Sequence, residues 1–359
     1  MRLIIFLCGF ILWLHSCTPG KALHPDEDTR IFTDALGREV AIPDTVRRII
    51  PVNESTMRIV SYVKASPLVC GIEDVELRGV AFTHIFAHPE IRKQPLIGPM
   101  YGGDPELIML QRPDVVITSN LSVAEADELQ QKIQIPVVVI AYGNLSNQRA
   151  LFFEALRMTG DLLHHRSQAD SLITFVQNEI DELQRRSGEG CLQKAYLGGI
   201  SYRGRHDIVS TDPHYAAFEL VRVPNVALQV DSLLIPSLAN MTIDMETLLR
   251  WNPDILFVDQ GGFRLVQENF RSFKALSELL DCYKNRQVYL VWPYYMFHSN
   301  FEVMLINAWS VGKVIYPDAF SDIDLRDKTD QILEHFVGKA ITDSLIGQWG
   351  WFRNVTDEL

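Results

Sequence analysis

The chain has 359 residues, 47% of them hydrophobic, and a formal net charge of -12. That length and apolar content suffice for two domains with ordinary buried cores and exclude a disordered or fibrous protein. So acidic a chain repels phosphate, which argues against nucleic acid as a partner.

The first sixteen residues, MRLIIFLCGFILWLHS, are an Arg followed by an apolar run too short for a comfortable membrane span, ending at small residues beside Cys17. This is the pattern of an export signal. Leu14-His15-Ser16-Cys17 resembles a bacterial lipobox, although His15 departs from it, so residues 1–17 are expected to be signal peptide with Cys17 as lipid-attachment site. That makes the extracytoplasmic membrane face a partner through a lipid anchor. Residues 18–29 are polar and Pro-bearing and form a tether. Cys70, Cys191 and Cys282 are the remaining thiols after Cys17, odd in number and widely spaced, so there is no disulfide framework and no Cys-x-x-Cys site.

Residues 30–146 alternate helical patterns with apolar runs of strand length, at Ile49-Ile50-Pro51-Val52, Leu68-Val69-Cys70, Pro95-Leu96-Ile97, Val115 to Thr118 and Pro136 to Ile140. Short all-apolar runs between helices indicate a parallel sheet buried on both faces, an α/β lobe. Residues 147–187 then carry Phe152, Leu156, Leu163, Leu172, Phe175, Val176, Ile180 and Leu183 at helical intervals with no internal Pro. The spacing predicts one long connecting helix, with a kink at Gly160. Strand runs resume at Ala195-Tyr196-Leu197, Ile255 to Val258 and Val288 to Val291, so residues 188–359 form a second α/β lobe.

Each lobe contains Glu, six residues, then Pro-Asp and an apolar run: Glu106 to Thr118 and Glu246 to Val258. Leu107, Ile108 and Leu110, like Leu248, Leu249 and Trp251, fit one face of a short helix that Pro113 or Pro253 ends. An acidic residue beside a helix start is favoured by the macrodipole. Capping alone does not account for the matched register, which points to something that reads both halves at once.

The opening TDALGREVAIPDTVRRII, the two Glu-x6-Pro-Asp units, GGISYRGRHDIVSTDP and the terminal AWSVGKVIYPDAFSDIDL together resemble the iron-complex substrate-binding proteins of ABC importers, over roughly Thr33 to Gly338. The resemblance implies two Rossmann-like lobes joined by one long helix, a metal chelate held between them, and no enzymatic activity or cofactor. It implies a ferric siderophore as cargo, with a corrinoid or haem as alternatives. It also implies partners in a dimeric permease and its ATPase, met through one Glu per lobe, at Glu106 and Glu246 here. A secreted metal-dependent enzyme is disfavoured, since the chain lacks Gly-x-Ser-x-Gly, His-Glu-x-x-His and Gly-x4-Gly-Lys.

Ligands of open parallel sheets collect outside the carboxyl ends of the strands. That rule selects Tyr101 and Asn120 in the first lobe, and Tyr202, Arg203, Arg205, His206, Tyr294, Tyr295 and His298 in the second. The guanidinium forks suit carboxylates on a chelate, and the tyrosines suit stacking or hydrogen bonding. His84 and His88 are four apart but show no acidic third ligand in the sequence nearby, so no metal site is assigned to them.

Overall fold

The computed structural model describes residues 29–53, 55–78, 82–200, 207–229, 241–295 and 300–359. An antiparallel pair, β1 (Thr29–Thr33) and β2 (Glu39–Pro43), opens the fold. Three parallel strands follow, β3 (Ile49–Pro51), β4 (Val115–Thr118) and β5 (Val137–Val139), with β4 in the centre and every residue buried. Helices α1 (Thr56–Tyr62), α2 (Val75–Arg78), α3 (Thr83–Ala87) and α4 (Pro105–Gln111) lie between β3 and β4, and α5 (Val123–Ile133) joins β4 to β5. The expected runs at Leu68 and Leu96 contribute only single parallel bridges, Val69 to Ile49 and Leu96 to Ile72. Pro67 and Pro95, which lack an N–H, keep these segments from extending the sheet.

The connecting segment is not one helix. It is α6 (Arg149–Leu162) and α7 (Arg166–Ser187), separated at Leu163–His165, where His164 takes a left-handed φ of 57°. Gly160 permits the break: a Cβ there would lie 2.9 Å from the Cβ of Ala169 and 3.2 Å from the Cα of Arg166, so α7 packs directly onto α6. His164 and His165 fix the corner by bonding the carbonyls of Asp44 and Val63.

The second parallel sheet has the order β10-β9-β6, built from β6 (Ala195–Gly198), β9 (Ile255–Asp259) and β10 (Val288–Val291). Between β6 and β9 lie β7 (Ser210–Thr211), α8 (Ala216–Leu220), β8 (Met241–Thr242) and α9 (Met245–Trp251). α10 (Phe263–Ser272), α11 (Ala275–Leu279) and α12 (Asp281–Lys284) lead to β10, and α13 (Phe301–Ile315), α14 (Leu325–Val337) and α15 (Thr342–Trp349) follow.

Alternation along the strands divides the core. Ile49, Val115, Ile117 and Val138 from one sheet, and Ala195, Leu197, Ile255 and Phe257 from the other, belong to a single large apolar cluster with α6, α7, α13 and α14. The opposite sheet faces close two smaller cores, one over Ile108 of α4 and one over Leu248 of α9. The two halves thus share one interior.

Candidate ligand-binding site

The repeated unit has a structural half and an unexplained half. Asp104 caps α4 by accepting from the backbone N–H of Glu106 and Leu107, and Asp244 caps α9 by accepting from Thr247. Arg112 and Asn252 end the helices in the left-handed region, at φ 49° and 40°. Asp114 then accepts from the N–H of Arg47 and Arg48 at 2.7 and 2.8 Å, and Asp254 accepts from the N–H of Lys194 at 2.7 Å. Each Pro-Asp therefore ties the central strand to the start of its neighbour. Ile108 and Leu248 are fully buried, and Leu249 and Trp251 pack partly buried against the same core as Leu248, whereas Leu107 is exposed and Leu110 is 71% exposed. A seven-residue helix on a sheet face has room to bury only a narrow stripe fully. Glu106 and Glu246 are exposed, and their carboxylates have no partner among the described residues.

At the carboxyl end of the first sheet, Asn53 donates to Thr118 Oγ1 at 2.8 Å and to the carbonyl of Ser119 at 3.1 Å. The buried Glu73 carboxylate accepts from the N–H of Asn53 and of Gly102, drawing the turn that carries Tyr101 to the same place. Tyr101 and Asn120 are both exposed and both in the left-handed region, at φ 77° and 57°. Hydrogen bonds thus link the loops that carry Asn53, Tyr101 and Asn120 at this end of the sheet.

Beneath it lies a group that sequence reasoning missed. Arg58 of α1 is 2% exposed, donates to Ser55 Oγ at 2.8 Å and lies 5.0 Å from the centre of the Phe82 ring. Tyr142 hydrogen-bonds Ser55 and Arg58, and burial pushes its phenol up to about 12. From the other half, the fully buried Glu302 of α13 accepts from Tyr62 and Thr83. An acidic residue inside the apolar run FEVMLINAWSVG was the available signal for Glu302.

At the carboxyl end of the second sheet, Tyr294 departs from expectation. It is 1% exposed, with its hydroxyl on Asp212 at 2.5 Å and its ring 5.1 Å from Tyr215, so it belongs to the core rather than to a ligand-facing surface. An apolar ring next to Val291 and Trp292 is worth more inside. Tyr295 is half-buried beside it. Burial lifts Asp212 and Asp259 to about 7 each. Tyr202, Arg203, Arg205, His206 and His298, and also Cys17, lie outside the described residues.

A family model for periplasmic binding proteins matches residues 89–293. The chain belongs to the periplasmic binding protein family. Within it, the molybdate-binding protein MolA of Haemophilus influenzae is 20% identical over 335 residues, covering 86% of this chain and 90% of that one. Among solved structures, a periplasmic solute binding protein from Veillonella parvula has a TM-score of 0.70 at 20% identity, covering 89% of this chain and 96% of its own. CeuE of Helicobacter pylori, solved in a Ni-His complex, has a TM-score of 0.61 at 17% identity, covering 90% and 99%. These identities carry the fold alone, the class III arrangement of parallel sheets and helices. Members of the family are binding proteins rather than enzymes, and they deliver small molecules to ABC permeases.

For a periplasmic binding protein the site is well furnished with buried hydrogen-bonding groups, yet no three His, Cys, Asp or Glu among the described residues are grouped to hold a bare metal ion. His84 and His88 do not converge. His88 bonds Glu90 and the carbonyl of Val337, while His84 bonds Glu76, the acidic neighbour that sequence spacing did not reveal. No described helix is long and apolar enough to cross a membrane.

Proposed function

We propose that this chain captures an anionic metal complex between its two sheet-centred lobes and presents it to an ABC permease through Glu106 and Glu246. The carrying observation is the pair of exposed, unpartnered carboxylates, one at the same position of each repeated helix, on scaffolds matched down to their caps. Two carboxylates facing basic pockets steer the encounter and fix its orientation. Lobe boundaries at residues 146 and 188 follow from this reading, with α6 and α7 between them. A cation buried at the sheet end, Arg58, favours a ligand that brings negative charge.

A ferric chelate is the first such cargo, and Cys17 would hold the protein at the membrane through lipid. A metal oxoanion is the second reading, favoured by the likeness to a molybdate-binding protein along most of both chains. The test is to purify the chain without residues 1–17, identify any retained ligand by mass spectrometry, and titrate ferric siderophores, molybdate, haem and corrinoids while following tryptophan fluorescence. Saturable binding of a ferric chelate or of molybdate supports the reading and names the cargo. Binding of a neutral or cationic ligand alone would sink it.

A further inference from the structure

One histidine at this site has an unused nitrogen. His84 is 1% exposed, its Nε2 lies 2.8 Å from the Glu76 carboxylate, and its ring stacks on Phe82. Its Nδ1 is buried and has no hydrogen-bond partner among the described residues. An imidazole beside a carboxylate donates its Nε2–H, which leaves Nδ1 as a bare lone pair. Buried polar atoms nearly always have partners, so a bare one points to a group that the chain does not supply.

Arg58 lies against the same Phe82 ring, and His84, Arg58, Asn53 and Ser55 line one small cavity. Its volume is about 20 Å³. That admits a single oxygen and not a whole chelate. Among the described residues, the charged groups that face His84 are Glu76 from α2 and Arg58 from α1, with Glu302 of α13 bonded to the adjacent Thr83. At the far end of α3, Lys339 donates to the carbonyl of Ala87.

We infer that Arg58 and His84 clamp one oxygen of an anionic ligand, with one proton held between that oxygen and His84 Nδ1. The inference rests on the anionic cargo proposed above. Arg58 supplies a guanidinium N–H to the oxygen. The shared proton arrives as a ligand O–H or from solvent, so the complex holds one more proton than the deprotonated anion and the free protein together. Glu76 and the ligand's own charge favour that proton, and Arg58 opposes it. The oxygen belongs either to a metal oxoanion or to a carboxylate arm of a chelate.

The test is calorimetric titration with sodium molybdate and, separately, ferric citrate, in buffers of different ionisation enthalpy between about pH 6 and 8. The expected result is proton uptake on binding and an affinity that falls by up to about tenfold per pH unit as pH rises. His84→Gln should weaken binding by about tenfold to a hundredfold and abolish the uptake. Glu76→Gln should keep binding but move the fall in affinity to lower pH, because the carboxylate no longer supports the imidazolium. Uptake with molybdate alone assigns the oxygen to an oxoanion, and with ferric citrate alone to a chelate arm. Binding by the wild-type protein without proton uptake, or unchanged uptake in His84→Gln, overturns the inference and leaves the cargo standing. Failure of the wild-type protein to bind either probe or any of the ferric siderophores overturns both.

Discussion

The α4–β4 and α9–β9 units use the same scaffold and present different faces. Both have an Asp cap, a left-handed C-cap, one buried apolar anchor and a Pro-Asp that bonds the chain just before the neighbouring strand. Outward, the first unit shows Glu106 with Leu107, Met109 and Leu110, whereas the second shows Glu246 with Arg250, its Thr247 half-buried and its Leu249 packed partly buried against the core. Residues three and four apart on a helix are neighbours, so Glu106 is flanked by Met109 and Leu110, and Glu246 by Leu249 and Arg250. The positions that make the fold repeat faithfully, and those that meet solvent diverge except for the Glu. A retained charge between diverging neighbours fits the proposed docking of both units to one permease.

The comparison is sharpened most by removing the shared feature. Glu106→Ala and Glu246→Ala should each lower cargo uptake by cells about tenfold or more, and the double variant further, with ligand affinity in solution unchanged. Loss of ligand binding in either single variant would place the Glu in the binding site instead. Next in size is the shared scaffold. Asp114→Ala should cost about 1–3 kcal/mol in urea unfolding and Asp254→Ala somewhat less, since Asp114 accepts from two N–H groups and Asp254 from one. Equal costs would break the argument from hydrogen-bond count.

The strand ends extend the contrast to pH. Burial raises one carboxyl at the first sheet, Glu73, and two at the second, Asp212 and Asp259, each to about 7. A carboxyl raised in the folded state is protonated there while the unfolded chain has already ionised it. Its contribution to stability is therefore complete below the ordinary carboxyl range near 4 and is lost as pH rises to about 7. Thermal unfolding should occur at a lower temperature at pH 7.5 than at about pH 5, and Asp212→Asn or Asp259→Asn should flatten that slope. A slope of the opposite sign would remove all three groups from the explanation. The smallest effect belongs to the divergent face. Leu110→Arg should reduce uptake by about two- to fivefold and Arg250→Leu by less, both with stability within about 0.5 kcal/mol of wild type.

The central strands and the repeat were legible because strand runs and the Glu-x6-Pro-Asp spacing are local patterns. A kink at Gly160 was legible, but the full break at His164 was not, because the apolar period continues through it and the close packing of Ala169 on Gly160 is a tertiary contact. At the site, the turn of Tyr101 and the loop of Asn120 followed from topology. The burial of Tyr294 did not, since a tyrosine after a strand fits a core or a cleft equally until its hydroxyl finds Asp212. Glu76 with His84, and Arg58 with Tyr142, are pairs made by tertiary packing, and no periodicity along the chain links them.

The carboxylate of Glu302, sealed against Tyr62 and Thr83 from the other half, bears on how the molecule can be engineered. Cutting the chain between its halves would strand a charge in an apolar helix and open the interior that both sheets share. Split-protein reporters built on that cut should therefore fail to reassemble cleanly. A sensor made from this scaffold should instead carry its dye at the exposed Tyr101 turn, which the proposed binding role puts beside the ligand.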